Sequence, residues 1–319
     1  MHTLSLTGNR ITEEGAKALS EVFRQDWNSH LSSAASGSCS RSGLKRIHLT
    51  GNKLGPDGIS DLMEAMTVPT HFKDLKDSPI HTQPESTEFS STSRSQSCHG
   101  VQELFLGGTG MGRVGCAAVA KMLETSTSLR VLSLSNCHLD DDSAMLLASA
   151  IKSNCKRLPF ERLQLSFNNL TCKGIEALMN AVWGLTRLKD LQLDNNKMEG
   201  RGAQVVSAVL GSVKTLQKLD VGFNAISGTG MKLLMKAVAE NTNLVSLTIS
   251  GNSVDLGSAK AIAFALAHNS SLKSIFLDHC AIDGEGQRHI AAGIVSNSRT
   301  SLEVLTGFDV GGKYCLIGI

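Results

Sequence analysis

Aromatic residues are scarce: 10 Phe, 2 Trp and 1 Tyr make up 4% of the 319 residues. A core built with so few is filled by Leu, Ile, Val, Ala and Met, the small aliphatic side chains that repeated units reuse. An excess of either charge is missing too. With 31 Lys and Arg against 29 Asp and Glu, the formal charge is only +2. That excludes a strongly basic nucleic-acid binder and an acidic disordered tail. The longest apolar run, Ala261 to Ala267, has seven residues, where a bilayer needs roughly 20. Met1 to Arg10 lacks the apolar run of a secretory signal. The eight cysteines form no C-x-x-C pair, so reduced thiols are expected. The chain therefore reads as a cytoplasmic protein, with the nucleus also open to it, and no membrane partner is expected.

What is present in abundance is self-similarity. The unit apolar-x-x-apolar-x-apolar-x-x-Asn/Cys-x-apolar is met by Leu188, Leu191, Leu193, Asn196 and Met198. It recurs at Leu216, Leu219, Val221, Asn224 and Ile226, then at Leu244, Leu247, Ile249, Asn252 and Val254, and at Leu272, Ile275, Leu277, Cys280 and Ile282. Leu188, Leu216, Leu244 and Leu272 are spaced by 28 residues. Earlier copies start at Met1, Leu44, Val101, Leu129 and Phe160, giving nine. Fourteen positions into the unit stand Gly15, Gly58, Gly115, Gly174, Gly202, Gly230 and Gly286, with Ser143 and Ser258 as exceptions.

The alternating part predicts a short strand with its fourth and sixth positions facing inward. Asn or Cys at the ninth position falls where the chain leaves the sheet and has backbone groups to bond. After the glycine, apolar residues recur at helical spacing, as in Ile175, Leu178, Met179 and Val182. One strand and one helix cannot bury their apolar faces alone, so the units must stack. These residues resemble a leucine-rich-repeat protein of the ribonuclease-inhibitor-like subfamily, over most of Met1 to Ile294. The resemblance implies an α/β leucine-rich-repeat solenoid, a horseshoe with a parallel sheet on the concave face and helices on the convex face. It also implies a protein-binding role. The same repeat class occurs in NOD-like receptors, activators of the Ran GTPase and regulators of actin capping protein.

Residues 1–301 form the expected repeat domain, interrupted by Ser-rich insertions near 27–43 and 67–100; residues 302–319 are a degenerate terminal strand and tail. Trp27 to Gly43 is expected to be a mobile loop, because seven of its residues are Ser. The second insertion reads as disordered, with a decayed repeat around Phe72 and Leu75 as the alternative. The chain starts at the first apolar position of a unit and ends on an apolar run, which reads as a piece of a longer protein.

Enzyme-like signals are weak. Gly110, Gly112 and Gly115 fit G-x-G-x-x-G, a dinucleotide fingerprint, yet they sit in register with the repeat, where a turn already calls for them. Cys137 and Cys280, beside His138 and His279, occupy the ninth position, 143 residues apart, which argues against a metal site. Asp140, Asp141 and Asp142 read as a solvated turn at a helix N-terminus. No cofactor, metal or nucleic-acid partner is expected, and no enzymatic activity.

Positions three, five, seven and eight of each unit face away from the core, and adjacent strands bring them to roughly 4.8 Å. The densest group is Arg162, Gln164, Phe167, Asp190, Gln192, Asp194, Asn195, Lys218, Asp220 and Phe223. Two aromatics flanked by charges of both signs resemble an interface hot spot. The competing reading is a surface ladder pairing Arg162, Asp190 and Lys218. The expectation is a monomeric, non-enzymatic module that binds a protein on its concave sheet. The alternatives are a regulator of a small GTPase, or the ligand-sensing part of a larger receptor or actin regulator.

Overall fold

The computed structural model describes residues 2–35, 44–67 and 100–307. Among them ten strands alternate with nine helices. The first half runs β1 (Thr3–Ser5), α1 (Glu13–Ala35), β2 (Arg46–His48), α2 (Gly55–Met66), β3 (Glu103–Phe105), α3 (Gly112–Thr125), β4 (Val131–Ser133), α4 (Asp141–Asn154), β5 (Arg162–Gln164) and α5 (Cys172–Val182). The second runs β6 (Asp190–Gln192), α6 (Glu199–Leu210), β7 (Lys218–Asp220), α7 (Gly228–Glu240), β8 (Ser246–Thr248), α8 (Leu256–His268), β9 (Ser274–Phe276), α9 (Gly284–Ser296) and β10 (Val304–Thr306). The strands form one open parallel sheet in chain order. Their register is that of the repeat: Leu163 pairs with Leu191, Leu191 with Leu219 and Leu219 with Leu247.

Leu191, Leu219 and Leu247 are buried between sheet and helices, with Leu193, Val221 and Ile249 beside them. Each helix packs on the next along the chain. Strands repeat every ~4.8 Å whereas packed helices need about 8–10 Å, so the stack bends with the sheet on its inner side. The glycine column marks where successive helices come closest. A Cβ at Gly230 would overlap Gly200, and one at Gly58 would lie 2.8 Å from the Ala16 methyl.

The ninth-position asparagines tie unit to unit. Asn252 Oδ1 accepts the N–H groups of Asn224 (3.1 Å) and Ile226 (2.9 Å), while its Nδ2 donates to the carbonyls of Val221 (3.0 Å) and Ile249 (2.8 Å). Asn52, Asn168 and Asn196 likewise accept from the preceding turn and donate to carbonyls of both units. Cys137 and Cys280 keep the donating half, through Sγ to the carbonyls of Leu106 and Ile249.

A second ladder, not anticipated from the sequence, closes the helix ends. Asn269 Nδ2 donates to the carbonyls of Val238 and Asn241, both at 2.7 Å, and its Oδ1 accepts from Ser271 and Leu272. Asn154, Asn241 and Asn297 repeat the donation. Asn269, which the sequence places in a glycosylation-like triplet, is therefore buried and fully engaged.

The expected loop over 27–43 is corrected in its first part, since α1 continues to Ala35. No Gly or Pro stands between Trp27 and Ala35, so nothing there breaks the helix. The rest of that stretch, 36–43, lies outside the described residues. So do 68–99, with both readings of the second insertion, and the tail 308–319. Before the tail, Leu302 and Leu305 are buried and β10 pairs in register with β9. Gly307 stands where any side chain would overlap the Leu277 backbone.

Asn252→Ala should cost about 2–4 kcal/mol, because the N–H groups of Asn224 and Ile226 lose their acceptor and the Val221 carbonyl its donor together. Urea denaturation measures it. A loss under about 0.5 kcal/mol would contradict the structural role of the ladder.

Candidate protein-binding face

The outward positions of β5, β6 and β7 lie side by side, and the ten residues singled out from the sequence come together on that face. Arg162 Nε pairs with Asp190 Oδ2 at 2.9 Å across the register, and Asp190 is buried. Lys218 does not complete the three-residue ladder of the competing reading. It is exposed and has no ion pair among the described residues. Gln164 Nε2 donates to Gln192 Oε1 at 2.9 Å, and Gln192 Nε2 reaches Asp190 Oδ1 at 3.3 Å. Asp194 accepts from the Ser166 hydroxyl and from Asn195 Nδ2. The face is thus a bonded polar lattice, with its side chains held in place before any partner arrives.

At the strand N-terminal ends a cleft of about 320 Å³ is lined by Glu103, Arg130, Glu161, Arg162, Lys189 and Lys218, among others. Arg130 holds Glu161 at 2.8 Å, and Arg46 holds Glu103 at 3.1 Å. These exposed pairs contribute little stability each, but they fix the charges along that rim.

The eighth position turns the chain through a left-handed backbone in every described unit. Gly8, Gly51, Gly108 and Gly251 fill four of these positions, and Asn136, Asn195 and His279 three more. Phe167 and Phe223 take the remaining two, at φ +57° and +50°. Gly or Asn enters that conformation cheaply, whereas a bulky side chain is strained by about 1–2 kcal/mol. Neither ring recovers the cost by burial, as Phe167 is 58% and Phe223 46% exposed. Phe223 lies over Gly251, where a Cβ would collide with the ring, and leans on His279 at 6.1 Å between centroids. A second aromatic pair, missed in the sequence, stacks on the same face near its start. His48 and Phe105 are 4.3 Å apart and nearly parallel. Their common fifth position, one register step apart, is the signal that could have found them.

Asp220 is the perturbed group of the face. Burial, and then the charges of Asp194 and Asp190, push its carboxyl up to about 6 against the opposing bonds from the Gly222 N–H and the Thr248 hydroxyl. The folded chain therefore holds more protons than the unfolded chain between the ordinary carboxylate range and about pH 6, and stability falls as pH rises through that window.

Other sequence signals resolve into structural tasks. Gly110, just before α3, and Gly112, its first residue, take positive φ, and a Cβ at Gly115 would crowd Met111 and Ile59. The Cys137 and Cys280 thiols are pushed up by burial, and Cys116 rises to about 12 for the same reason, with Cys137 nearby adding to it. Protonated thiols that donate to backbone carbonyls are poor metal ligands. The three consecutive acids do stand at a helix N-terminus, but each is bonded. Asp140 caps α4 through the Ser143 N–H at 2.9 Å. Asp141 reaches the next unit, accepting from the N–H groups of Thr171 (2.8 Å) and Gly174 (3.0 Å), and Asp142 pairs with Arg113 at 2.5 Å. No described helix is long and apolar enough to cross a membrane.

Parallel three-residue strands, one helix per unit and an asparagine ladder at a fixed period define a repeat solenoid. The family model described as Leucine Rich repeat matches residues 1–20, 44–63, 125–148, 159–179 and 214–235. A ribonuclease inhibitor from Sus scrofa is 29% identical over 168 residues, 48% of this chain and 30% of that protein. The chain is built of leucine-rich repeats like those of the ribonuclease inhibitor, and this architecture supports a protein-interaction module in general. The match spans under a third of that inhibitor's length. Among solved structures, the Leiomodin-1 Actin-Binding Site 2 (ABS2) aligns at TM-score 0.40 and 18% identity, covering 49% of this chain and 88% of that one.

Asp220→Asn should raise stability by about 1–2 kcal/mol near neutral pH, since it removes the strained charge and keeps an acceptor for the Gly222 N–H. The gain should vanish by about pH 3, where Asp220 is largely protonated in both states. Thermal melts across pH check it, and a variant less stable than the parent at neutral pH would contradict the assignment.

Proposed function

We propose that this protein is a non-enzymatic, monomeric binding module that holds a protein partner on the sheet face over β5 to β7. The observation that carries the reading is the pair Phe167 and Phe223, two half-exposed rings at left-handed positions that Gly or Asn would fill at lower cost. Strain without burial is what a site kept for contact looks like, and aromatic anchors ringed by fixed polar groups are the usual composition of a hot spot. Arg162, Gln164, Gln192, Asp190, Asp194 and Asn195 form the prearranged polar surround, so little side-chain ordering is lost on binding. Lys218 and Asp220 flank the aromatics and steer the encounter. The described free thiols fit a reducing compartment such as the cytoplasm or nucleus.

Affinity capture with the parent and with the Phe167→Ala/Phe223→Ala variant as baits tests this. The variant should lose the captured partner by at least about a hundredfold in affinity, on the scale of two lost anchors, with an unchanged circular-dichroism spectrum. Lys236→Ala on the exposed side of α7 should keep it. Equal binding by the phenylalanine variant would move the site off this face.

A further inference from the structure

Charge is unevenly spread along the sheet face. On its first half the outward acid Glu103 is paired with Arg46, and the remaining outward positions are neutral, including His48 and Phe105 as a stacked pair. From β6 onward the acids outnumber their partners. Asp190 is taken by Arg162, but Asp194, Asp220 and Asp278 have no cation in ion-pair contact among the described residues. Their bonds come from neutral donors: Ser166 and Asn195 to Asp194, the Gly222 N–H to Asp220 at 3.0 Å, and the Thr306 hydroxyl to Asp278 at 2.5 Å. Lys218 is the lone outward base of that half.

Aromatic rings border the same stretch. Phe167 lies on one side and Phe223 and His279 on the other, and Phe223 and His279 are within 6.1 Å of each other. Carboxylates that lack a cation, next to exposed ring faces, suit a side chain that is at once cationic and flat. Guanidinium does both, accepting a carboxylate in its fork and stacking on a ring, which an ammonium does less well. Crowding of Asp190, Asp194 and Asp220 also means that an arriving cation relieves repulsion already present in the free protein.

From this arrangement we infer that the partner presents an arginine-bearing segment, which lies across β6 to β9 with its guanidinium groups over Asp194 and Asp220 and between the rings of Phe167 and Phe223. The inference rests on the binding face proposed above and adds the chemistry of what it receives. The neutral first half, with His48 and Phe105, then takes an uncharged part of the same partner, so the charge gradient sets which way the segment runs.

The test uses a fluorescent oligo-arginine peptide and anisotropy at low and high salt, with oligo-lysine and oligo-glutamate peptides as comparators. The intact chain should bind oligo-arginine more tightly than oligo-lysine and should not bind oligo-glutamate. Asp194→Asn/Asp220→Asn should weaken oligo-arginine binding about tenfold or more. Glu240→Gln at the end of α7 should leave it unchanged, which separates the site from attraction to any acidic surface. Phe167→Ala/Phe223→Ala should erase the preference of arginine over lysine. Equal affinity of the carboxylate variant and the parent, or equal loss in Glu240→Gln, would overturn the inference. If the captured partner still depended on the phenylalanines while oligo-arginine ignored the carboxylates, the binding face would stand and its basic occupant would not.

Discussion

Each strand leaves the sheet through a turn whose N–H groups point into the interior, where no water reaches them. In five of the described units that demand is met by the asparagine of the following unit. Asn at the ninth position accepts from the turn before it and donates to carbonyls on both sides, so each unit is completed by its neighbour. The Asn amide carries an acceptor oxygen and two N–H donors on separate atoms, so it can serve the turn and the carbonyls at once, and an orphaned backbone group in that place would cost more than the bond returns. Where Cys137 or Cys280 takes the place, only the bond to a carbonyl remains. The second asparagine ladder does the same at the opposite edge, where the helices end.

Because the interior is satisfied without them, the outward strand positions are free to vary, and they carry what distinguishes this chain from any other stack of the same repeat. Arg162, Asp190, Gln164 and Gln192 use that freedom to build a fixed lattice, and Phe167 and Phe223 occupy backbone positions that chemistry alone would assign to Gly or Asn. The raised Asp220 carboxyl belongs to the same face: a carboxylate buried there and crowded by Asp194 and Asp190 is a cost that stability would not select. Rigid support from the core and strained, underused groups on the surface are the two halves of a binding face.

The strands, the inward leucines and the asparagine ladder were legible because they recur at a period that no short-range effect imitates. The outward columns followed from the same register, which is how ten residues from three units could be placed together before any coordinates. Three features escaped. Helix α1 runs on to Ala35 through a Ser-rich stretch, because composition suggested a loop while the absence of Gly and Pro allowed a helix. The bonds of Asn241, Asn269 and Asn297 were not anticipated, since their partners lie one unit away rather than nearby in sequence. Asp141 reads as part of a solvated turn at the start of its own helix, yet it bonds the N-terminus of the next. In the last two cases the deciding contact crosses a unit boundary, and only the stack reveals it.

Hydrogen exchange resolved to single amides tests most directly whether the ladder holds the solenoid together. The amides of Cys137, Leu139, Asn224 and Ile226, all bonded to an asparagine of the following unit, should exchange as slowly as those of the central strands, through cooperative opening of the stack. Exchange of these four at the rate of exposed turn amides would contradict the account, since the side chains said to bind unit to unit would then be leaving their turns open to water.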